Sequence, residues 1–142
     1  MIKAVVDTNV FVSGLLNDSG APAKLILFWV KGQFDIVFSK QILKEYSYVL
    51  HNIPGVRKEK VDGLLSELKS TGIVVDIPGT LKVCKDVDDN KFLETAVAGN
   101  GDFLVTKNIK HYPLKSYKNV QIVKISKFLS HIEQSLKSPD LK

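Results

Sequence analysis

The sequence predicts an α/β fold, a three-layer α/β/α arrangement around a central, mostly parallel sheet of about five strands. Short continuous apolar runs, typical of strands buried on both faces, alternate with longer segments whose apolar residues recur at helical spacing. The 142 residues contain no internal repeat, low-complexity tract or linker. We therefore expect a single domain over residues 1–137 and a frayed tail over residues 138–142.

The apolar runs predict five strands, at residues 2–6, 34–38, 73–77, 102–106 and 120–125. Small residues after the first strand suit a turn and the start of a helix. Helical spacing of apolar residues predicts five further helices, which contain residues 25–30, 42–50, 61–68, 89–99 and 128–136. Strands separated by helices favour a parallel sheet that is covered on both faces.

Capping and breaking residues mark the predicted boundaries. Pro22 suits the first turn of a helix that stops at Gly32, and Ser39 and Ser126 suit the cap positions of two later helices. Pro78, followed by glycine, closes the third strand.

Composition excludes several classes of protein. The single cysteine, Cys84, rules out an intramolecular disulfide and a multi-cysteine zinc site. No apolar run approaches the roughly 20 residues of a membrane span, and the N-terminus lacks the order of a secretory signal, so we expect a cytoplasmic protein without a membrane partner. The net charge of +5 favours a polyanionic partner but also fits an ordinary solvated surface. The three histidines are not spaced as a site, and we expect structural or surface roles for them.

An acid, Asp7, ends the first apolar run. In open α/β sheets, ligands bind beyond the carboxyl ends of the strands, so this acid lies where chemistry usually occurs. An unpaired charge at the edge of an apolar run costs several kcal/mol, which a divalent metal ion would offset. The alternative is that Asp7 caps the helix that follows.

A second acid, Glu45, borders the apolar stripe of its predicted helix. Glutamate is mostly exposed in proteins, so this position is a candidate for function. The alternative is a surface ion pair with Lys40 or Lys44.

Three acids, Asp86, Asp88 and Asp89, crowd the start of a predicted helix. One acid at a helix N-terminus needs no special explanation, but three within four residues repel one another unless a cation neutralises them. Their spacing does not match a calcium loop, whereas Mg²⁺ requires few protein carboxylates.

The strand at residues 102–106 ends in Thr106, followed by Lys107 and Asn108. The threonine hydroxyl could hold a metal-bound water or a phosphate oxygen, or simply form a turn. Acids that converge at the strand ends suit metal-assisted phosphodiester cleavage, with lysines such as Lys107 and Lys110 holding the nucleic-acid backbone.

The segments DTNVFVSG, SKQILKEY and DVDDNKFLETAVAGNGDFLVT, with the closing strand and helix, resemble the PIN domain. The branch with the best resemblance is that of the VapC-like toxins of toxin–antitoxin pairs. The resemblance implies a metal-dependent ribonuclease with a central parallel sheet. Its catalytic and metal-binding acids fall on Asp7, Glu45 and Asp89, with Asp86 and Asp88 as alternatives for the third. Asn9 and Ser13 resemble the supporting polar residues.

The same resemblance implies Mg²⁺ or Mn²⁺ as cofactor, single-stranded RNA as substrate, a small antitoxin protein as partner and a homodimer. Many relatives carry a fourth acid where this chain has Asn108, a further candidate ligand that offers only a neutral carbonyl oxygen. The alternative is therefore a catalytically weak or inactive RNA-binding or interaction module. A receiver-like phosphate switch is disfavoured, because Asp7 stands alone and the strand at residues 73–77 ends in Pro78.

Overall fold

The computed structural model describes residues 1–137, so the tail predicted over residues 138–142 lies outside the described residues. The strands are β1 (Lys3–Val6), β2 (Asp35–Phe38), β3 (Ile73–Val74), β4 (Phe103–Val105), β5 (Ser116–Tyr117) and β6 (Val120–Val123). The helices are α1 (Thr8–Leu16), α2 (Ala21–Val30), α3 (Lys40–His51), α4 (Lys58–Thr71), α5 (Asn90–Ala98) and α6 (Ile125–Lys137). Two 3₁₀ turns occupy Val87–Asp89 and Ile109–His111.

The strands form a single sheet in the order β3-β2-β1-β4-β6-β5. Every neighbouring pair is parallel except β5 and β6, which are antiparallel. The mostly parallel sheet is confirmed, with one strand more than predicted. The additional strand, β5, has only two residues at the edge of the sheet, and two residues are too few to produce a periodic signal in the sequence.

Helices cover both faces of the sheet. Consecutive strand residues point to opposite faces, and all residues of Ala4–Val6 in β1 and Phe103–Val105 in β4 are buried. Helix α5 packs on β1, β2 and β4, and α6 packs on β4 and α2. The ring of Phe128 in α6 lies edge-on to Phe34 and Phe103, with centroid distances of 4.9 and 5.6 Å. The predicted three-layer α/β fold class is confirmed.

Most predicted boundaries agree with the structure, and three do not, one of them being the end of the last strand, which lies at Val123 rather than at residue 125. Ser39 caps α3 by accepting a hydrogen bond from the backbone N–H of Ile42 at 3.4 Å. Ser126 was wrongly predicted as the cap of the last helix: α6 begins at Ile125, and the Lys124 carbonyl already accepts from the N–H of Phe128 at 3.0 Å.

The third strand is shorter than predicted, ending at Val74 rather than at residue 77. Its neighbour β2 ends at Phe38, whose carbonyl accepts one last hydrogen bond from Val75 N–H at 2.9 Å. Beyond that point β3 has no strand to pair with.

Among residues 1–137, no helix is both long and apolar enough to cross a membrane.

The strand order places a crevice at the carboxyl end of β1. This strand lies between β2 and β4. The chain adds β2 and β3 on one side of β1 and then adds β4, β5 and β6 on the other side. Such a reversal of strand order opens a ligand-binding crevice in α/β proteins. Asp7 follows β1 and Thr106 follows β4, so both residues lie at this end of the sheet.

Candidate active site

A cleft of about 180 Å³ lies at the carboxyl ends of β1 and β4. It is lined by Asp7, Thr8, Asn9, Glu45, Val49, Asp86, Asp88, Asp89, Phe92, Asn108 and His111. The fold thus brings together acids from three separate parts of the chain. Thr106, Ser13, Lys107 and Lys110 are not among the lining residues of this cleft.

Asp7 is held by the adjacent strand rather than by the helix it precedes. It occupies the N-cap position of α1, yet its side chain makes no capping hydrogen bond. Instead, Oδ2 accepts a hydrogen bond from Thr106 Oγ1 at 2.9 Å, and the backbone N–H donates to the Val105 carbonyl at 2.9 Å. The capping interpretation of Asp7 is therefore wrong.

Thr106 supports Asp7 from within the protein. Its side chain is fully buried, and Oγ1 also accepts a hydrogen bond from Asn108 N–H at 3.0 Å, as in a turn. Because its one proton goes to Asp7 and its oxygen is buried, the hydroxyl does not reach a metal-bound water or a phosphate oxygen, and the alternative prediction of a turn is the one that the structure shows. Tyr46 supports the same strand end, because its buried hydroxyl donates to the Val6 carbonyl.

Glu45 lies on α3 with both carboxylate oxygens engaged. Thr8 Oγ1 donates to Oε2, and Lys91 Nζ lies 2.7 Å from Oε1. The partner is therefore a lysine from α5, not Lys40 or Lys44 of its own helix, both of which are exposed. This pairing directs Glu45 toward the cleft rather than along the helix surface.

Asp89 is the buried member of the aspartate cluster. It is 9% exposed, and its Oδ2 is buried without a hydrogen-bond partner among the described residues. His111 Nδ1 lies 3.6 Å from this oxygen, beyond a good hydrogen bond. A buried carboxylate oxygen without a donor is costly, and a bound cation would relieve that cost.

The two other aspartates differ in burial and contacts. Asp86 and Asp88 are exposed, and Asp86 Oδ1 accepts from Asp88 N–H at 3.0 Å, which caps the 3₁₀ turn. Capping therefore explains Asp86, in agreement with the expectation that one acid at a helix N-terminus needs no special explanation. Asn90 anchors the preceding loop, because its Oδ1 accepts from the N–H groups of Val83 and Cys84 at 2.9 and 2.8 Å.

The cleft carries excess negative charge. Burial raises the pKa of Asp7, a change that the hydrogen bond from Thr106 opposes and the charge of Glu45 reinforces. Burial, together with the charges of Asp7 and Asp86, raises the pKa of Asp89 to about 6. Each shift reflects a carboxylate whose ionised form lacks compensation, and this is the electrostatic condition for cation binding.

The acids do not form a ready-made metal cluster. Within residues 1–137, no three carboxylate, imidazole or thiolate groups are arranged to ligate one ion. Both carboxylate oxygens of Glu45 already have partners, Thr8 Oγ1 and Lys91 Nζ. Of the acids without a cationic partner in hydrogen-bonding contact, Asp86 and Asp88 are exposed, whereas Asp7 is half-buried and Asp89 is buried.

The remaining predicted residues surround the cleft. Asn9 and Asn108 are exposed and line it. Ser13 is half-buried and accepts a hydrogen bond from Lys107 Nζ at 2.6 Å, so these two residues support each other across the α1 and β4 ends. Lys110 is exposed in the 3₁₀ turn that also carries His111.

Sequence reasoning missed Lys91 and His111. A cation in the first turn of a helix is unfavourable. The position of Lys91 in such a turn, just after three acids, therefore indicated that its ammonium needs an anionic partner. His111 gave no comparable signal, because a loop brings it to Asp89 over a separation of more than twenty residues.

Comparisons with known proteins identify the family and the fold of this chain. The chain matches the PIN domain family model over residues 3–110. It is 26% identical over 145 aligned residues to an uncharacterized protein of Methanocaldococcus jannaschii, covering 94% of this chain and 93% of that protein. A chain in the crystal structure of VapBC2 from Rickettsia felis, bound to a DNA fragment from their promoter, superposes with a TM-score of 0.54 and 18% identity. That alignment covers 87% of this chain and 98% of the other, and it supports the fold alone. Because the family match spans most of its length, this chain belongs to the PIN domain family.

Proposed function

We propose that this chain is a Mg²⁺- or Mn²⁺-dependent endoribonuclease that hydrolyses phosphodiester bonds of single-stranded RNA. PIN domains are generally nucleases that use divalent metal ions. The observation that carries the proposal is Asp89 Oδ2, a buried oxygen without a partner in the same cleft as Asp7. Carboxylate oxygens are the ligands that Mg²⁺ and Mn²⁺ prefer.

In this proposal Asp7 and Asp89 hold the ion, and Glu45 borders it. When bound, the metal polarises the scissile phosphate and lowers the pKa of water. Thr106 fixes the orientation of Asp7 through its hydrogen bond. Asp86 and Asp88 add negative charge at the rim, Asn108 offers a neutral oxygen, and the side chains of Lys107 and Lys110 offer positive charge to the RNA backbone.

The test is cleavage of labelled single-stranded RNA by the purified chain with Mn²⁺, with Mg²⁺ and with EDTA. We expect cleavage with either ion, none with EDTA, and none in an Asp7→Asn variant measured beside the wild type. Equal cleavage by wild type and variant would reveal a contaminating ribonuclease. A folded chain that binds Mn²⁺ yet leaves RNA intact would contradict the proposal.

Asn108 favours a second candidate function, a non-catalytic RNA-binding module. It lines the cleft where a fourth acid would add a negative charge, so metal affinity is reduced relative to a four-acid site. The same assay separates the two functions when RNA binding is measured in EDTA. RNA affinity that persists without any cleavage in Mn²⁺ identifies the binding module.

We further propose that the chain is the toxin of a toxin–antitoxin pair and is held inactive by a small partner protein. An apolar groove of about 620 Å³ between α1 and α2 supports this proposal, with Leu27 and Val30 at its edge each 52% exposed. Contiguous apolar surface of this kind marks interaction sites. The Rickettsia felis structure, by its title, contains VapBC2 with promoter DNA.

Native mass spectrometry of the chain purified from its own host tests the partner and the oligomeric state together. We expect a complex that contains two copies of this chain and a smaller second protein. Removal of the smaller protein is expected to release RNA cleavage. A bare monomer whose cleavage is already maximal would contradict both the antitoxin and the homodimer.

A further inference from the structure

The ammonium of Lys91 already occupies part of the acid cluster. Nζ lies 2.7 Å from Glu45 Oε1 and donates a hydrogen bond of 2.7 Å to the Asp88 carbonyl. The same ammonium lies 5.1 Å from the ring centroid of Phe92. Three contacts therefore fix one positive charge at the wall of the cleft that Glu45, Asp88 and Phe92 line.

Local structure alone does not explain this placement. Lys91 is the second residue of α5, where the positive end of the helix dipole opposes a cation. The pair is also partly desolvated, with 20% of the Lys91 side chain and 27% of the Glu45 side chain exposed. The Glu45 carboxylate and the Asp88 carbonyl provide the compensation, and both are oxygen ligands of the kind that a divalent ion uses.

We propose that Lys91 is a tethered cation that competes with the divalent ion for Glu45 and so weakens metal binding by the acid cluster. The inference rests on the proposed metal-dependent function. Glu45 cannot offer Oε1 to an ion while Nζ holds it, and the ammonium also repels a second positive charge nearby. Both effects leave Asp7 and Asp89 as the primary ligands, in agreement with the lack of a three-ligand group among residues 1–137.

The experiment is calorimetric titration of Mn²⁺ into metal-free protein. Lys91→Met removes the charge and keeps an apolar side chain over Phe92. Removing one neighbouring unit of positive charge strengthens the binding of a divalent ion by about tenfold in a water-like dielectric, so we expect the variant to bind Mn²⁺ about tenfold more tightly than the wild type. Lys44→Met is the matched control, because it removes an exposed lysine next to Glu45 in α3 that does not line the cleft. We expect it to change the affinity by less than about twofold.

Two further variants test whether Lys91 acts through Glu45. Lys91→Arg keeps the charge and is expected to bind Mn²⁺ as the wild type does. Adding Glu45→Gln to Lys91→Met removes the carboxylate that the first change releases, and it is expected to cancel most of the gain. A thermal melt in EDTA supplies a readout without metal: Lys91→Met should melt at a lower temperature than the wild type, since Glu45 loses its partner beside Asp7.

The outcomes separate this inference from the proposed function. Unchanged or weaker Mn²⁺ binding by Lys91→Met, in a folded protein, overturns the inference and leaves the nuclease proposal standing. Tighter binding by the variant without RNA cleavage by the wild type supports the competition and contradicts the nuclease. If neither protein binds Mn²⁺, the acid cluster is not a metal site and both proposals fail.

Discussion

Replacing Asp89 with asparagine is expected to lower RNA cleavage by more than about a hundredfold and to make the metal-free fold more stable. Loss of an outer-shell partner of a metal ligand typically costs about 10–100-fold in activity or affinity, and loss of a ligand itself is expected to cost more. The gain in stability has a separate origin in the same oxygen, since Asp89 Oδ2 is buried without a hydrogen-bond partner.

The pH dependence of stability gives the sign of this effect. The pKa of Asp89 is raised from the ordinary 3.8 to about 6, first by burial and then by the charges of Asp7 and Asp86. Folding therefore opposes ionisation of Asp89. Below about pH 4 the side chain is protonated in both the folded and the unfolded state, so it does not lower the free energy of unfolding. The penalty grows as the pH rises from about 4 to about 6 and is complete above that.

This pKa difference corresponds to about 3 kcal/mol at neutral pH. A buried amide retains part of the desolvation cost, so we expect Asp89→Asn to raise the free energy of unfolding at pH 7.5 by about 1–2 kcal/mol. The measurement is urea unfolding in EDTA at pH 5 and pH 7.5. The difference between variant and wild type should be larger at pH 7.5.

Asp88→Asn is the matched control for this prediction. It removes the same charge one residue away, from an exposed side chain. We expect its stability to stay within about 0.5 kcal/mol of the wild type and its RNA cleavage to persist. Asp88→Asn behaving like Asp89→Asn would mean that net charge, rather than the buried oxygen, determines both effects.

Sequence reasoning recovered the sheet and the acids because both leave local signals. A buried parallel strand needs a continuous apolar run, and an acid that ends such a run, as Asp7 does, is conspicuous. The short strand β5 and the truncation of β3 were not predictable, because edge pairing depends on where a neighbouring strand stops. The fold class therefore followed from periodicity, whereas strand lengths required tertiary context.

The candidate site divides in the same way. The sequence identified Asp7, Glu45 and Asp89 as acids of interest, the last with two alternatives, but it did not identify what each one contacts. The partners of Glu45 and Asp89, Lys91 and His111, come from other elements of the fold. Distances between such elements are set by packing and cannot be predicted from the local pattern of a single sequence.

One of the two predictions from the sequence was that Thr106 holds a metal-bound water or a phosphate oxygen, whereas its hydroxyl contacts Asp7. Replacing Thr106 with valine is expected to lower both stability and RNA cleavage, although the side chain does not contact the RNA. The substitution keeps the shape of the side chain but removes the hydroxyl that donates to Asp7 and accepts from Asn108 N–H. Leaving buried polar groups unpaired costs about 1–3 kcal/mol, so the free energy of unfolding should fall by that amount.

The same change is expected to reduce RNA cleavage by about 10–100-fold, the usual cost of losing a partner that orients a metal ligand. The hydrogen bond from Thr106 lowers the pKa of Asp7, against the larger effect of burial. Without this bond the pKa of Asp7 rises, so the acidic limb of the pH–rate profile should shift to higher pH. A purely structural threonine would lower stability and leave that limb in place.

Thr106→Ser separates the hydroxyl from the methyl group. Serine keeps both hydrogen bonds and loses about 1 kcal/mol of apolar burial, so its pH profile should match the wild type although its stability falls. Cleavage rate and pH limb that follow the hydroxyl, with valine defective and serine normal, would place Thr106 in the orientation of Asp7. If valine leaves the limb in place, or if serine moves it although serine keeps the hydroxyl, the hydrogen bond to Asp7 does not set the pH dependence.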